Sequence, residues 1–256
     1  MKRFTYTVDD NIIFFKQISE RNYVSIFEHP YLAMYKRLHE KYGLKVQLNL
    51  FYECEDFNLS MFSDRYINEW KNASDWLKLS FHSKNEDARP YEFSGYDEVY
   101  NDCRKVNDEI VRFASEASLA TTTTVHYCLT TEEGNKALAD NGIKGLLGLY
   151  GKEHTPSVSY CRTSAETEEI LTGKTVTADG IAYAALDIVL NLYSKEEIIR
   201  RLDRLYGRDL IKIMIHEQYF HKEHRAYQMD FEEKLDTAFA ALYQNGYQSV
   251  FFEDTI

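Results

Sequence analysis

Hydrophobic and polar positions alternate or recur along this chain with periods that predict a repeating order of strands and helices. The first segment, Phe4 to Asp10, alternates Thr, Tyr and Val and then ends in two adjacent carboxylates. This pattern predicts a short buried strand with a charged end, although Asp-Asp-Asn also suits a turn. Six further strands are predicted at 44–52, 77–81, 121–125, 143–150, 210–215 and 249–252.

The helices between the strands are indicated by apolar residues three or four positions apart and by end signals. Pro30 and Gly43 stand at the two ends of one such helix. Capping patterns at Thr130–Glu133, Ser194–Glu197 and Asp230–Glu233 predict where three later helices begin. Other helices are predicted at 63–73 and 97–115. Residues 151–193 have no secure assignment: 157–161 could form a strand, and 175–180 show hairpin character.

Strands that alternate with helices at short spacing are typical of a parallel sheet with helical connections. About seven such units in 256 residues predict one α/β domain over 1–256, a distorted or incomplete (β/α)7-type barrel with parallel strands. A doubly wound open sheet is the second candidate. The glycine patterns of dinucleotide-binding and phosphate-binding loops are absent from the sequence.

The amino-acid composition limits the kinds of molecule that the protein can be expected to bind. The formal net charge is −11 without a Lys/Arg cluster, which argues against nucleic acid and anionic membrane surfaces. No apolar run approaches the ~20 residues of a membrane span, and no apolar signal segment follows Met1. The four cysteines form no C-x-x-C pair, so we expect reduced thiols and a cytoplasmic protein. The 20 Tyr and 15 Phe suit a core, and secondarily a sugar-binding groove.

Four predicted strands end in residues that can bind a metal ion or move a proton: the Asp9–Asp10 pair, His82, His126 and His216. The carboxyl ends of parallel barrel strands open on one face, so we expect these side chains to meet there. Glu86 follows His82 by four residues and can bind the same ion if the segment coils. A solvated turn is an equally good explanation of Glu86.

Three segments resemble motifs of the NodB-type polysaccharide deacetylases. Thr7-Val8-Asp9-Asp10 is similar to their T-F-D-D opening, Phe81-His82-Ser83-x-x-Glu86 to H-S-x-x-H, and Ile213-Met214-Ile215-His216 to a late L-x-H segment. The resemblance implies a distorted (β/α)7 barrel that binds a divalent metal, often zinc, and hydrolyses an acetamide. It implies that Asp9 is the general base, that Asp10 and His82 are metal ligands, and that His216 is the general acid.

Two positions depart from the family pattern. Glu86 stands where the second histidine of H-S-x-x-H would be, and Asn11 replaces the glycine that usually follows the two aspartates. His126 ends the strand where the family has a segment of arginine and proline. From that placement, and not from the family, we infer that His126 is a third ligand beside Asp10 and His82.

We therefore expect a metal-dependent hydrolase of non-peptide carbon–nitrogen bonds. Its partner would be a small-molecule or carbohydrate substrate, namely a soluble N-acetylated sugar or a related small amide. Two alternatives stay open. The first is a glycoside hydrolase that pairs Asp9 with Glu217 or Glu253. The second is a non-catalytic barrel that binds sugar through aromatic side chains.

Overall fold

The computed structural model describes residues 2–150 and 159–256. Its strands are β1 (Arg3–Asn11), β2 (Val46–Phe51), β3 (Glu53–Cys54), β4 (Phe57–Asn58), β5 (Leu77–Ser83), β6 (Thr122–Thr123), β7 (Gly145–Gly148), β8 (Val176–Ala178), β9 (Ile181–Ala185), β10 (Ile188–Val189), β11 (Leu210–His216) and β12 (Gln248–Ser249). Its α-helices are α1 (Ile13–Arg21), α2 (Pro30–Tyr42), α3 (Ile67–Ala73), α4 (Tyr96–Ala114), α5 (Glu132–Asp140), α6 (Ser164–Leu171), α7 (Lys195–Leu205) and α8 (Phe231–Gln244). Within these ranges, no helix combines the length and the apolar character needed to cross a bilayer.

The barrel strands are distributed over two mostly parallel sheets. The first sheet has the order β10-β11-β1-β2-β5, with β12 beside β1, and all of its pairs are parallel. The second has the order β6-β7-β9-β8 and is parallel except for the β8–β9 hairpin. This hairpin confirms the character predicted for 175–180. A separate small hairpin joins β3 and β4.

Backbone hydrogen bonds join the two sheets at both edges. The N–H of Ala120 donates to the carbonyl of Leu79 at 2.8 Å, which links β5 to the segment before β6. On the other side, Leu186 donates to Gly148 of β7, and the next residue donates to Lys212 of β11, both at 2.8 Å. The distorted or incomplete (β/α)7-type barrel predicted from the sequence is confirmed, with β9 and β10 acting as one interrupted strand.

The strands are buried on both sides, as expected where helices cover a parallel sheet. Along β1, the rings of Phe4 and Tyr6 pack against Phe239 of α8 on the outer side. The alternate residues Thr5 and Thr7 are equally buried on the inner side. The barrel interior is therefore partly polar, and its polar side chains lead up to the carboxyl ends of the strands.

Two of the predicted helix ends are confirmed, and two predicted caps need correction. Gly43 ends α2 in the left-handed conformation, at φ 65°, and Ser194 caps α7, both as predicted. The cap of α5 is Thr131 and not Thr130. The hydroxyl of Thr130 instead donates to the side-chain oxygen of Asn135. Asp230 precedes α8 but makes no side-chain cap bond.

Two predicted strands are much shorter than expected. Only Thr122–Thr123 of the predicted strand 121–125 is paired, and β12 ends at Ser249. Beyond β12 the chain turns away from the sheet because Phe252 packs with Leu147 and Met214, inside the barrel end opposite the carboxyl ends of the strands. Of the stretch 151–193, residues 151–158 lie outside the described part of the chain, and Ser159–Cys161 form a 3-10 turn instead of the strand considered for 157–161.

Candidate metal centre and its surroundings

Three side chains from separate strands converge at the carboxyl end of the barrel. Nε2 of His82 lies 2.9 Å from Oδ1 of Asp10 and 3.1 Å from Nδ1 of His126, and these last two atoms are 3.4 Å apart. Asp10 and His82 are almost fully buried, and His126 is partly buried. The structure thus brings together three of the residues that the sequence placed at strand ends.

The other ring nitrogen of each histidine fixes its tautomer. Nδ1 of His82 lies 2.5 Å from the carbonyl oxygen of Thr124, and Nε2 of His126 lies 3.2 Å from that of Glu86. A carbonyl oxygen only accepts, so these nitrogens donate, and the facing nitrogens, Nε2 of His82 and Nδ1 of His126, can each bind a metal ion when they carry no proton. Metal–ligand bonds of about 2.0–2.1 Å place tetrahedral ligand atoms about 3.3 Å apart. The donor set therefore fits a metal ion with one open position.

Aromatic packing fixes the orientation of both rings. The ring of Phe51 lies 5.2 Å from that of His82 and 5.0 Å from that of His126, centroid to centroid. Phe51 is buried at the end of β2. It limits rotation of the imidazoles and shields them from solvent on that side.

Asn11 supports the backbone at Asp10. Asp10 has φ 63°, in the left-handed region, and the β1–β2 register shifts between Val8 and Asn11. The side-chain amide of Asn11 donates to the carbonyls of Val8 at 2.6 Å and Asn49 at 3.0 Å, and it accepts from the hydroxyl of Tyr31 at 2.8 Å. The left-handed residue is Asp10 and not Asn11, so a glycine is not required at position 11.

Asp9 and His216 are direct neighbours across the β1–β11 pair. Asp9 is 1 % exposed, and its Oδ1 accepts from Asn49 at 2.7 Å. Burial raises the pKa of Asp9, and the charges of His82 and His216 offset this only in part. His216 is half-buried, with Nδ1 2.9 Å from Oδ1 of Asn191, so Nδ1 donates and Nε2 stays available to exchange a proton.

Charges within the centre shift two further pKa values. Burial alone would raise the pKa of Asp10, but hydrogen bonds from His126 and His82 outweigh it and hold the pKa well below its usual range. Burial would lower the pKa of His82, but the carboxylates of Asp9 and Asp10 raise it above its usual value. The centre therefore favours a positive charge among its three ligand atoms, carried by a proton or by a metal ion.

The structure does not bring the carboxylate of Glu86 into this group. Glu86 is exposed, and it contacts the centre through its backbone carbonyl oxygen, at 3.2 Å from Nε2 of His126. In the described part of the chain, the cluster of potential ligands consists of Asp10, His82 and His126. The segment after β5 runs past the centre and orients a ligand from outside.

Glu217 fastens the start of α1 to the end of β11. Its carboxylate accepts the backbone N–H groups of residues 12–14, at 2.6, 3.1 and 2.7 Å, and faces Nε2 of His221 at 2.7 Å. N–H groups at a helix start have no partner within the helix, and a buried carboxylate satisfies them well. Glu217 is fully buried, and both of its oxygens are engaged.

The carboxylate pair of a glycoside hydrolase is not assembled around Asp9. Glu217 is occupied by α1. Glu253 accepts the N–H of Thr121 at 2.6 Å and pairs with Lys78, so it lies at the opposite end of the barrel strands. Neither carboxylate faces Asp9 across a substrate position.

Two polar partners of the site were missed by the sequence analysis. Asn49 bonds Asp9, and Asn191 bonds His216. The sequence holds a signal for the first, since Gln47 and Asn49 are amides two positions apart on a buried strand and so face the same side. Asn191 follows β10 in a stretch that had no assignment.

Comparison with known proteins shows the fold. No protein-family model and no curated protein sequence matches the chain. A 4-alpha-glucanotransferase from Thermococcus litoralis aligns with a TM-score of 0.64 and 13% identity, over 99% of this chain but only 40% of its own length. A family 4 acetyl xylan esterase from Clostridium thermocellum, in complex with a cobalt ion, aligns with 0.53 and 14% over 99% and 89%. The peptidoglycan N-acetylglucosamine deacetylase Bc1960 gives 0.51 and 13% over 98% and 86%.

The two deacylating enzymes are matched over most of their length, whereas this chain spans less than half of the glucanotransferase. At these identities the likeness concerns the fold. The chain therefore shares its fold with the family 4 acetyl xylan esterase and the peptidoglycan deacetylase, as the resemblance to the NodB-type deacetylases implied.

Proposed function

We propose that the protein is a metal-dependent deacetylase that hydrolyses the amide bond of an N-acetylated sugar or a related small amide. The observation that carries this proposal is the group formed by Asp10, His82 and His126. Backbone carbonyls orient both imidazoles so that their remaining nitrogens face Asp10 and one another. Asp9 and His216, an acid–base pair on neighbouring strands, lie at the same barrel end.

Asp10, His82 and His126 would hold the ion. Two imidazole nitrogens and one carboxylate oxygen with an open fourth position suit zinc in a catalytic role. When bound, such an ion polarises the acyl carbonyl group and lowers the pKa of a water molecule.

Asp9 takes a proton from the attacking water. Its place beside His216 at the carboxyl end of β1 suits this role, since a general base must lie within hydrogen-bond reach of the proton it takes. His216 donates a proton to the leaving nitrogen, and Asn191 holds its ring in the tautomer needed. The water oxygen bonds to the acyl carbon, the C–N bond breaks, and acetate and an amine leave.

The substrate class rests on the relatives and on the expected location. Two structural relatives are named for deacylation of carbohydrate, as an acetyl xylan esterase and a peptidoglycan N-acetylglucosamine deacetylase. A cytoplasmic location, expected from the sequence, favours a soluble N-acetylated molecule over a wall polymer.

The test combines metal content with acetate release. Chelator-treated protein is reloaded with zinc or cobalt, weighed by native mass spectrometry, and assayed on N-acetylglucosamine oligomers and N-acetylated amines. We expect about one ion per chain. His82→Ala and His126→Ala should lose both ion and activity, whereas Asp9→Asn should keep the ion and lose about 100-fold or more in kcat.

Glu86→Gln is the matched control, because it removes a charge next to His126 without touching the backbone carbonyl. It should bind the ion as the unaltered protein does. Retention of the ion by His82→Ala would refute the ligand assignment. A metal-loaded protein that binds sugar but releases no acetate, with binding unchanged in Asp9→Asn, would instead identify a carbohydrate-binding barrel.

A further inference from the structure

A groove leads away from the metal centre. It is a cavity of about 420 Å³ that is lined by Asp10 at its inner end. One wall is the outer side of α1, and the others come from Glu55 of the β3–β4 hairpin, from Glu86 and from residues 218, 221, 223 and 224 after β11. This volume lies within the range of small-molecule sites. The part of the substrate that does not react would occupy the groove.

Carboxylates dominate the walls of this groove. Four exposed glutamates line it: Glu20, Glu55, Glu86 and Glu223. Lys16 is the one lysine or arginine among the lining residues in the described part of the chain. Its ammonium group is already bonded to Glu55 at 2.6 Å and to Asp56 at 2.7 Å. The groove therefore offers no uncommitted ammonium or guanidinium group to a phosphate or carboxylate.

The two histidines of the groove do not change this balance. Nε2 of His221 faces the buried carboxylate of Glu217 at 2.7 Å. Nδ1 of His224 accepts the backbone N–H of Ala226 at 3.1 Å, which requires an unprotonated nitrogen. Both rings are engaged within the loop after β11.

The floor of the groove is apolar near the centre. Ile12, Ile13 and Phe51 line it there, while the glutamates lie on its walls. The charges of Lys16 and Glu55 offset each other, and the other charged side chains on the walls are carboxylates. A cleft lined by charges of one sign focuses the electric field and concentrates ligands of the opposite sign. This field acts over about 8–10 Å at ordinary ionic strength, which covers a groove of this size.

From this charge pattern we propose that the substrate is an N-acylated amine that carries at least one further protonated amino group. An amino-sugar oligomer with some free amines and a mono-acylated diamine share this chemistry. The inference rests on the proposed deacetylase function and specifies the molecule that the same site accepts. Hydrolysis adds a second attraction, because the neutral amide becomes an amine that takes up a proton, and the product gains a charge that the groove attracts.

Substrates matched for size but not for charge provide the test. With zinc-loaded protein, kcat/KM is compared for a mono-acetylated diamine, its neutral di-acetylated form, and an acetylated amino acid of similar length. Partly and fully acetylated glucosamine oligomers of one length form the sugar arm and distinguish the two sources of amine. We expect about a tenfold preference for the cationic member of each set at low salt, which shrinks as salt is raised to 0.5 M.

Two double variants separate the groove from the overall charge of the protein. Glu20→Gln with Glu223→Gln removes two groove carboxylates. Glu116→Gln with Glu168→Gln removes two exposed carboxylates that do not line the groove. The first double variant, the groove pair, should raise KM for the cationic substrate about five- to tenfold with kcat little changed. The second, the control pair, should leave both constants unchanged.

The outcomes also separate this inference from the proposed function. If no N-acetyl compound is hydrolysed, the deacetylase function fails. The groove is then tested by calorimetric binding of a free diamine, which the groove pair should weaken and the control pair should not. Equal use of anionic and cationic substrates, or a preference that does not depend on salt, would overturn the inference.

Discussion

Replacing Glu217 with glutamine tests whether this buried carboxylate holds the candidate metal ligand Asp10 in place. The substitution keeps the shape of the side chain and turns one oxygen into an NH2 group. Oε2 accepts from the N–H groups of Ile12 and Ile13, and Oε1 accepts from Phe14 and faces His221. Whichever oxygen is replaced, at least one buried N–H then faces another donor.

The structure sets the size of the effect. If the NH2 group replaces Oε1, His221 can change tautomer and accept from it, and only the N–H of Phe14 loses its acceptor. One buried donor without a partner costs about 1–3 kcal/mol. Loss of the negative charge at the start of α1 adds up to about 2 kcal/mol. We expect the free energy of unfolding to fall by about 2–4 kcal/mol.

Metal affinity should fall as well, because Ile12 is only two residues beyond Asp10. Loss of a residue that positions a ligand typically weakens metal binding by about 10- to 100-fold. Urea unfolding of the metal-free protein at pH 7 measures the first effect, and zinc titration against a competing chelator measures the second.

Glu253→Gln is the matched control. This carboxylate is also largely buried, at 12 % exposure, and accepts a backbone N–H, but at the opposite end of the barrel. It should lose stability and keep its affinity for zinc. If Glu217→Gln binds zinc within twofold of the unaltered protein, or if both variants weaken binding equally, Glu217 does not position Asp10.

Three further predictions concern stability and thiol reactivity. Burial, together with the charges of His221 and Arg21, lowers the pKa of His29 to about 4. Between pH 4.5 and pH 6.5 the unfolded chain binds a proton that the folded protein does not, so the free energy of unfolding should fall by about 2 kcal/mol from pH 6.5 to pH 4.5. The variant His29→Asn, whose amide can still cap α2, should not show this fall when its unfolding in urea is measured at both pH values. Asn11→Gly removes three buried hydrogen bonds and should lower the free energy of unfolding by about 2–4 kcal/mol. If that free energy rose instead, Asn11 would not support the backbone at Asp10. Burial raises the pKa of the Cys54 thiol to about 12, so iodoacetamide at pH 8 should modify it slowly in the folded protein and rapidly in urea, as peptide mass mapping would show.

The positions of the candidate ligands could be predicted because each follows a run of residues with strand character. His82 closes an alternating run, and in a parallel fold the ends of such runs meet. His126 lies beside Asp10 and His82 although its strand is only Thr122–Thr123, since four consecutive threonines indicate extended backbone whether or not it is paired. The barrel could be predicted as well, because the alternation of helices and strands is visible along the sequence.

Other features depend on contacts between segments that no local pattern encodes. Glu217 reads as one more polar residue at a strand end, and only the barrel brings it under the first turn of α1. The path of the chain after β5 decides which part of Glu86 faces His126. The sequence does not indicate whether this is its carboxylate or, as in the structure, its backbone carbonyl. Asn191 belongs to a stretch without periodicity, so its contact with His216 had no signal.

The left-handed backbone at Asp10 has a consequence for how such a centre can be built. Consecutive residues of a regular strand face opposite sides, so two adjacent aspartates could not both serve one catalytic mouth. The conformation of Asp10 and the register shift beside it turn the second carboxylate back toward the first. One strand thereby supplies both the proposed proton acceptor and one of the candidate cation ligands. Grafting this chemistry onto another barrel would require copying the irregular peptide and its amide brace along with the three donor side chains.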